Sequence, residues 1–175
     1  EEEIATNKLL CEDHLTGLLN RRGFEFRANH ILQMCSAQDC EATLIYFSID
    51  NLKQILDLHG HQAGDNALLQ FSSLLINTFR DSDLVGRIGN DEFVVLMVSQ
   101  NESDQVAIMD RLAITVDNYN RSIHSDIYLN YSFGLITTKS LGDFDLQQLY
   151  TLADEVMYHN KHNSQSFNMA INTHQ

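Results

Sequence analysis

The spacing of hydrophobic positions changes period several times along the chain, and each change predicts an element. Ala42 to Ile49 (ATLIYFSI) is almost continuously apolar, which predicts a strand at the centre of a sheet with Ser48 as its polar exception. Leu84 to Ile88 and Phe93 to Met97 flank Gly89-Asn90-Asp91-Glu92 and predict a β-hairpin with two acids at its tip. Ile127 to Thr138 reads as a strand in which Gly134 marks close packing or a bulge, and Phe167 to Ile171 as a short closing one. Helical spacing fills the gaps. A helix is predicted from about Gly23 to Cys35, with Phe24, Ile31, Leu32 and Cys35 apolar. Another carries Ala67, Leu68, Leu69, Phe71, Leu74, Leu75 and Phe79, after a stretch from Asp50 to Asp65 that starts helically and is interrupted at Gly60 and Gly64. Ser103 is placed to cap a helix bearing Val106, Ile108, Met109, Leu112 and Val116. Asp145 and Gln148 open the last one, with its stripe Leu146, Leu149, Leu152, Ala153, Val156 and Met157. This order predicts an α/β (α+β) fold: a central, mainly antiparallel five-stranded sheet flanked by helices.

The segment Glu1 to Cys11 has acids at its front and apolar residues at Ile4, Leu9 and Leu10, as a short helix or the end of a longer one would. We therefore expect residues 1–12 to be a connecting helix to an upstream domain and residues 13–175 to be one domain.

Composition narrows the class. The 175 residues are 43% apolar and 20% charged, which is ordinary for a globular domain with a sizeable core. No run approaches the length of a membrane span and no charged-then-apolar leader opens the chain, so direct membrane insertion is not expected. The formal net charge of −13 argues against a nucleic-acid-wrapping surface, while a small anion held by one or two local cations remains compatible. Cys11, Cys35 and Cys40 are odd in number and lack CxxC spacing, so neither a zinc site nor a disulfide framework is indicated. Reduced thiols fit a cytoplasmic protein, or the cytoplasmic part of a larger membrane-attached one.

The acids of the hairpin tip have two readings. Paired carboxylates on a rigid turn suit a metal or phosphate site, and Asp and Asn are also common in solvated turns. Arg21-Arg22 reads as a solvated basic pair, and His59 and His61 as turn and packing residues.

Five stretches in register decide the family resemblance: DHLTGLLNRRGF, SIDNLKQILDLHGHQAGD, RDSDLVGRIGNDEF, YSFGL and ADEVMYHNK. Together, from about Asp13 to Asn163, they resemble the successive motifs of the GGDEF (diguanylate cyclase) family. The resemblance implies a fold similar to the palm of nucleotidyl cyclases and a place in bacterial cyclic di-GMP signalling. It also implies GTP and cyclic di-GMP as ligands, Mg²⁺ or Mn²⁺ where GTP binds, and a homodimer in which each half presents one GTP to the other. The site residues it implies are Asp91 and Glu92 as catalytic acids, and Glu92, Asp91 and Ile49 as the positions around a metal. Lys53, Asp65, Lys161 and Leu56 fall at the substrate-binding positions.

Several of these positions depart from the family pattern. Ser48 stands where the family places its strand-end metal ligand, and a neutral hydroxyl supplies neither charge nor a good Mg²⁺ ligand. Asp50 aligns with the motif's second acid. Leu56 stands in place of the base-reading Asn, leaving polar edges of guanine unpaired at about 1–3 kcal/mol per buried group. Gln165 replaces a usual Arg. Asn90 replaces the second Gly of the signature; Gly there permits a positive φ and close approach of a ligand, and Asn tolerates that φ but brings in a side chain that is expected to narrow the cleft. Scaffold positions are intact, among them Leu15, Gly17, Asn20, Arg21, Gly60, His61, Gly64, Phe93, Gly134 and Tyr158. The resemblance thus implies a degenerate domain with poor or no cyclase activity, acting as a regulatory or ligand-binding module. An active cyclase and a GTP-binding allosteric domain without turnover are the alternatives. Arg80-Asp81-Ser82-Asp83 has the RxxD form, with five residues between Asp83 and Gly89, of the family's inhibitory site for cyclic di-GMP; a surface salt bridge would use the same residues.

Overall fold

The computed structural model describes residues 2–98, 101–123, 126–138 and 145–172, the side chains of residues 2–5, 8 and 163–172 excepted. The chain runs α1 (Glu2–Cys11), α2 (Arg21–Gln38), β1 (Ala42–Ile49), α3 (Leu52–His59), α4 (His61–Thr78), β2 (Leu84–Arg87), β3 (Glu92–Val98), α5 (Glu102–Ser122), β4 (Tyr131–Thr137) and α6 (Leu146–Asn172). Among the described residues four strands form the sheet, in the order β2-β3-β1-β4, and each neighbouring pair is antiparallel.

β1 is buried at all eight positions because helices cover both faces of the sheet. Its odd-numbered residues Ile45, Phe47 and Ile49 pack with Phe93, Val95 and Met97 beneath α3, α4 and α5. Its even-numbered residues Ala42, Leu44 and Tyr46 pack with Val94 and Leu96 beneath α2 and α6. Phe47 and Phe71 meet edge to face at 6.0 Å, and Phe71 and Phe93 at 5.1 Å, joining strand to helix at the middle of the first core.

The prediction differs from the structure at four places. Phe167–Ile171 is not a fifth strand but part of α6, for Phe167 and Ile171 are also spaced i, i+4 and a short apolar run fits either period. Gly64 does not interrupt a helix; it lies inside α4, where a Cβ would come within 2.5 Å of Leu56 Cδ2, so its smallness lets α3 approach. The break is at Gly60 alone, with φ of 87°. The cap of α5 is Asn101, whose side chain accepts from the Asp104 N–H at 2.8 Å, and Ser103 instead lies in the first turn. β4 begins only at Tyr131. Ahead of it, side-chain amides take the place of a ladder: Asn120 brackets Leu129 through both its N–H and its carbonyl (2.9 and 3.0 Å), and Asn51 does the same across Tyr128 and Asn130 (2.7 and 3.3 Å).

At the start of the domain, Asn20 caps α2 by accepting from the Gly23 N–H (2.9 Å) and donates to the carbonyl of Leu10 at the end of α1 (2.9 Å). The turn between them hooks onto the outer strand where the Arg87 N–H meets the Leu19 carbonyl at 2.8 Å.

Candidate functional site

Alternation along three strands sets one row of side chains at the end of the sheet. Ser48 on β1 stands opposite Glu92 on β3 and opposite Ser132 on β4, so the row Glu92–Ser48–Ser132 crosses the face beneath α6. Asp50 follows just past the strand. Its carboxylate accepts from the Ser132 hydroxyl at 2.7 Å and pairs with Lys161 of α6 at 3.3 Å.

The carboxylate of Glu92 is also engaged. Tyr46, a residue only 6% exposed, donates from its hydroxyl to Glu92 Oε2 at 2.9 Å. Burial first and then this contact push the Tyr46 hydroxyl well above the ordinary tyrosine range, so it stays a donor. A Cβ on Gly89 would lie 2.6 Å from the same oxygen, which explains the glycine at that place of the hairpin.

The hairpin tip is fixed from outside. Arg87 donates to both oxygens of Asp13 (3.1 and 3.2 Å) and twice to the carbonyl of Asn90 (3.2 and 2.7 Å). Asp13 also accepts from the N–H and hydroxyl of Thr16 (2.9 and 2.7 Å). Burial alone would raise the Asp13 carboxyl, but the Thr16 bonds and Arg87 together hold it below the usual carboxylate value. Asn90 does not adopt the positive φ that Asn would tolerate; among the described non-glycine residues only Asp39 does. Arg87 holds the Asn90 carbonyl in an ordinary turn, and the exposed Asn90 lines an open cleft of about 400 Å³ with Asn20, Arg21 and Arg22.

The remaining candidates are spread over neighbouring surfaces. Asp91 is half-buried, and its carbonyl accepts from the Ile49 N–H at 3.0 Å. Ile49 keeps its side chain in the core at 1% exposure, leaving only main-chain groups for any ligand. Lys53 is exposed on the first turn of α3. Asp65, with Leu15, His59, Gln62 and Leu69, lines a second open cleft of about 610 Å³. Leu56 turns into the core beside Gly64. Arg80 is exposed, and Asp83 accepts from the main-chain N–H of Arg80 at 2.9 Å, closing a tight turn. The side chain of Gln165 lies outside the described residues.

Glu92 and Ser48 are therefore brought together, as are Asp50 and Lys161, while Asp65 and the RxxD turn stand elsewhere. Among the described residues no three His, Cys, Asp or Glu side chains converge as metal ligands. Sequence reasoning missed Tyr46 and Ser132. Alternation places both on the face of Ser48, but only strand register shows which acid each meets.

Comparison with known proteins agrees with this architecture. The family profile described as diguanylate cyclase, GGDEF domain, matches residues 11–166. The probable diguanylate cyclase DgcC of Escherichia coli K12 is 36% identical over 100 residues, covering 57% of this chain and 27% of that protein. The biofilm architecture maintenance protein MbaA of Vibrio cholerae is 31% identical over 165 residues, covering 89% of this chain and 21% of that one. The chain spans between 21% and 49% of the length of such curated relatives. The isolated GGDEF domain of TpbB (YfiN) from Pseudomonas aeruginosa superposes with a TM-score of 0.79 at 29% identity, covering 87% of this chain and 89% of that one. A microbial GGDEF domain described in a novel interaction mode with bis-(3′,5′)-cyclic di-GMP gives 0.77 at 26% identity, covering 90% and 94%. With the profile covering most of its length and the sheet, hairpin and flanking helices all in place, the chain belongs to the GGDEF family.

Proposed function

We propose that this chain is a regulatory GGDEF domain of cyclic di-GMP signalling whose cyclase chemistry is lost or very weak. The observation that carries the reading is the charge inventory at the strand ends. Attack of a ribose hydroxyl on an α-phosphate builds negative charge that a divalent cation must offset, and hard cations want several carboxylate oxygens. Here Ser48 faces Glu92 across the strands, and the next acid, Asp50, is already neutralised by Lys161. Across the strands Glu92 is left as the one unpaired carboxylate of the row, a weak Mg²⁺ site by itself, and a lysine committed to Asp50 is a poor phosphate ligand. Glu92, Asp91 and the carbonyl of Ile49 are what is left to meet a cation, a weaker donor set than one with an acid at position 48. Leu56 in the core likewise offers nothing to a guanine edge, although Asp65 still lines the cleft beside it.

The ligand of the regulatory state is then cyclic di-GMP at Arg80 and Asp83. In support, Arg80 is exposed, and Asp83 sits in the same turn with a carboxylate that can exchange its main-chain contact for a guanine edge. Cyclic di-GMP also appears with one of the related domains described above. We further propose that residues 13–175 form the functional unit and residues 1–12 its link to a neighbouring domain, in a cytoplasmic setting. The test is incubation of folded protein with GTP and Mg²⁺ or Mn²⁺, followed by chromatography for cyclic di-GMP, with an intact family member as control. Product at the control's rate refutes the reading. Absence of product, with thermal stabilisation by cyclic di-GMP that Arg80→Ala abolishes, is the expected outcome.

A further inference from the structure

We infer that Tyr46 is a positioning residue that holds the Glu92 carboxylate turned inward along the sheet, and thereby weakens the strand ends as a site for a divalent cation. In the register of β1 and β3, Ser48 faces Glu92 and Tyr46 faces Val94, so Tyr46 lies one same-face step deeper in the core. The Glu92 carboxylate nevertheless reaches back to the Tyr46 hydroxyl at 2.9 Å, passing over the Gly89 backbone. It points toward the core beneath α6.

The hydroxyl is held in place by its ring. Tyr46 meets Tyr150 edge to face at 6.4 Å, Tyr150 stacks on Phe24 at 6.4 Å, and the Arg21 guanidinium covers Tyr150 at 5.8 Å. A cation binding at the strand ends must draw Glu92 outward and leave a buried phenol without its acceptor. That opposing cost is worth about tenfold in affinity, the size of one hydrogen bond to a charged acceptor.

This inference rests on the reading of the strand ends as cation-poor, and the experiment separates the two. Mn²⁺ binding to the whole chain is measured by electron paramagnetic resonance for the unaltered protein, Tyr46→Phe, Ser48→Asp and the double variant. Line broadening of the Ser48 and Glu92 amide signals by Mn²⁺ serves as a readout sensitive to millimolar binding. Tyr46→Phe keeps the ring and its packing, and near-ultraviolet circular dichroism establishes that each variant is folded. The expected result is about tenfold tighter Mn²⁺ binding without the hydroxyl, in the Ser48→Asp background and by broadening in the unaltered one. Equal affinity with and without the hydroxyl overturns the inward hold. Tight binding by the unaltered protein overturns the cation-poor reading, and the same with-and-without comparison then still decides the role of Tyr46. Should Ser48→Asp not fold, the broadening comparison between the unaltered protein and Tyr46→Phe carries the test alone.

Discussion

Removing Arg87 should destabilise the domain more than any other single change at the hairpin. Its guanidinium makes a two-oxygen ion pair with Asp13 in which the side chains are only 10% and 13% exposed, and it anchors the turn through the Asn90 carbonyl. Deleting one partner of a buried pair costs about 3–5 kcal/mol, because the remaining charge is left uncompensated. Asp13 keeps both Thr16 bonds, which places Arg87→Ala at the low end, about 3 kcal/mol. For a domain of this size that lowers the Tm by about 6–12 °C. The pH dependence supplies an independent check. The folded Asp13 carboxyl lies below its unfolded value of 3.8, so the carboxylate's contribution is fully present above that value and is lost as pH falls through the folded one. Asp13→Asn has no such contribution to lose. Urea unfolding of the native protein and Asp13→Asn should therefore show a stability gap that is constant down to about pH 5 and closes below it. A cost under about 1 kcal/mol for Arg87→Ala, or a gap independent of pH, would show that the pair is a solvated contact and the reasoning wrong.

Three further changes probe other parts of the fold. Gly134→Ala puts a Cβ into the Ala153 carbonyl and against the Met157 N–H, main-chain atoms of α6 that cannot yield singly, so it should cost more than about 3 kcal/mol or prevent folding, as read by circular dichroism. Asn120→Ala removes both bonds that bracket Leu129, and hydrogen exchange at the Leu129 amide should accelerate strongly while β1 amides stay protected. Tyr150→Phe deletes a buried hydroxyl with no partner among the described residues and should raise stability by about 1 kcal/mol in urea unfolding.

The central strand, the hairpin and the amphipathic helices were legible because each has a local period that burial on known faces enforces. The Asp145–Gln148 capping box was legible for the same reason, and the structure shows both of its bonds, at 2.8 and 2.9 Å. What escaped depends on residues distant in sequence. Asn51 and Asn120 replace a strand ladder from α3 and α5, and nothing near Ile127 announces that β4 begins only at Tyr131. The role of Gly64 is set by Leu56 on another helix, so in sequence it resembled a breaker. At the candidate site the residue types were visible, but their pairings were not. Asp50 with Lys161 spans 111 positions of chain, and Tyr46 with Glu92 spans 46.

Those pairings bear on the charge balance at the strand ends. An acid at position 48 would face Glu92 directly across the strands, with Asp50 two residues away. Two carboxylates about 5 Å apart at an effective dielectric of about 20 repel by about 3 kcal/mol, which a bound cation relieves. Ser48 removes that repulsion at its source, and Lys161 supplies the counter-charge of Asp50 from within the chain. The row of side chains is therefore satisfied internally, and the unaltered protein should keep its Tm to within about 1 °C when a chelator strips divalent ions. Ser48→Asp should restore the conflict, lowering stability by about 3 kcal/mol in chelator and recovering much of it in millimolar Mn²⁺. A fall in the Tm of the unaltered protein on chelation would mean that Glu92 and its neighbours already hold a cation. Ser48 would then stand beside an occupied metal site, and the proposed loss of cyclase chemistry would not follow from it.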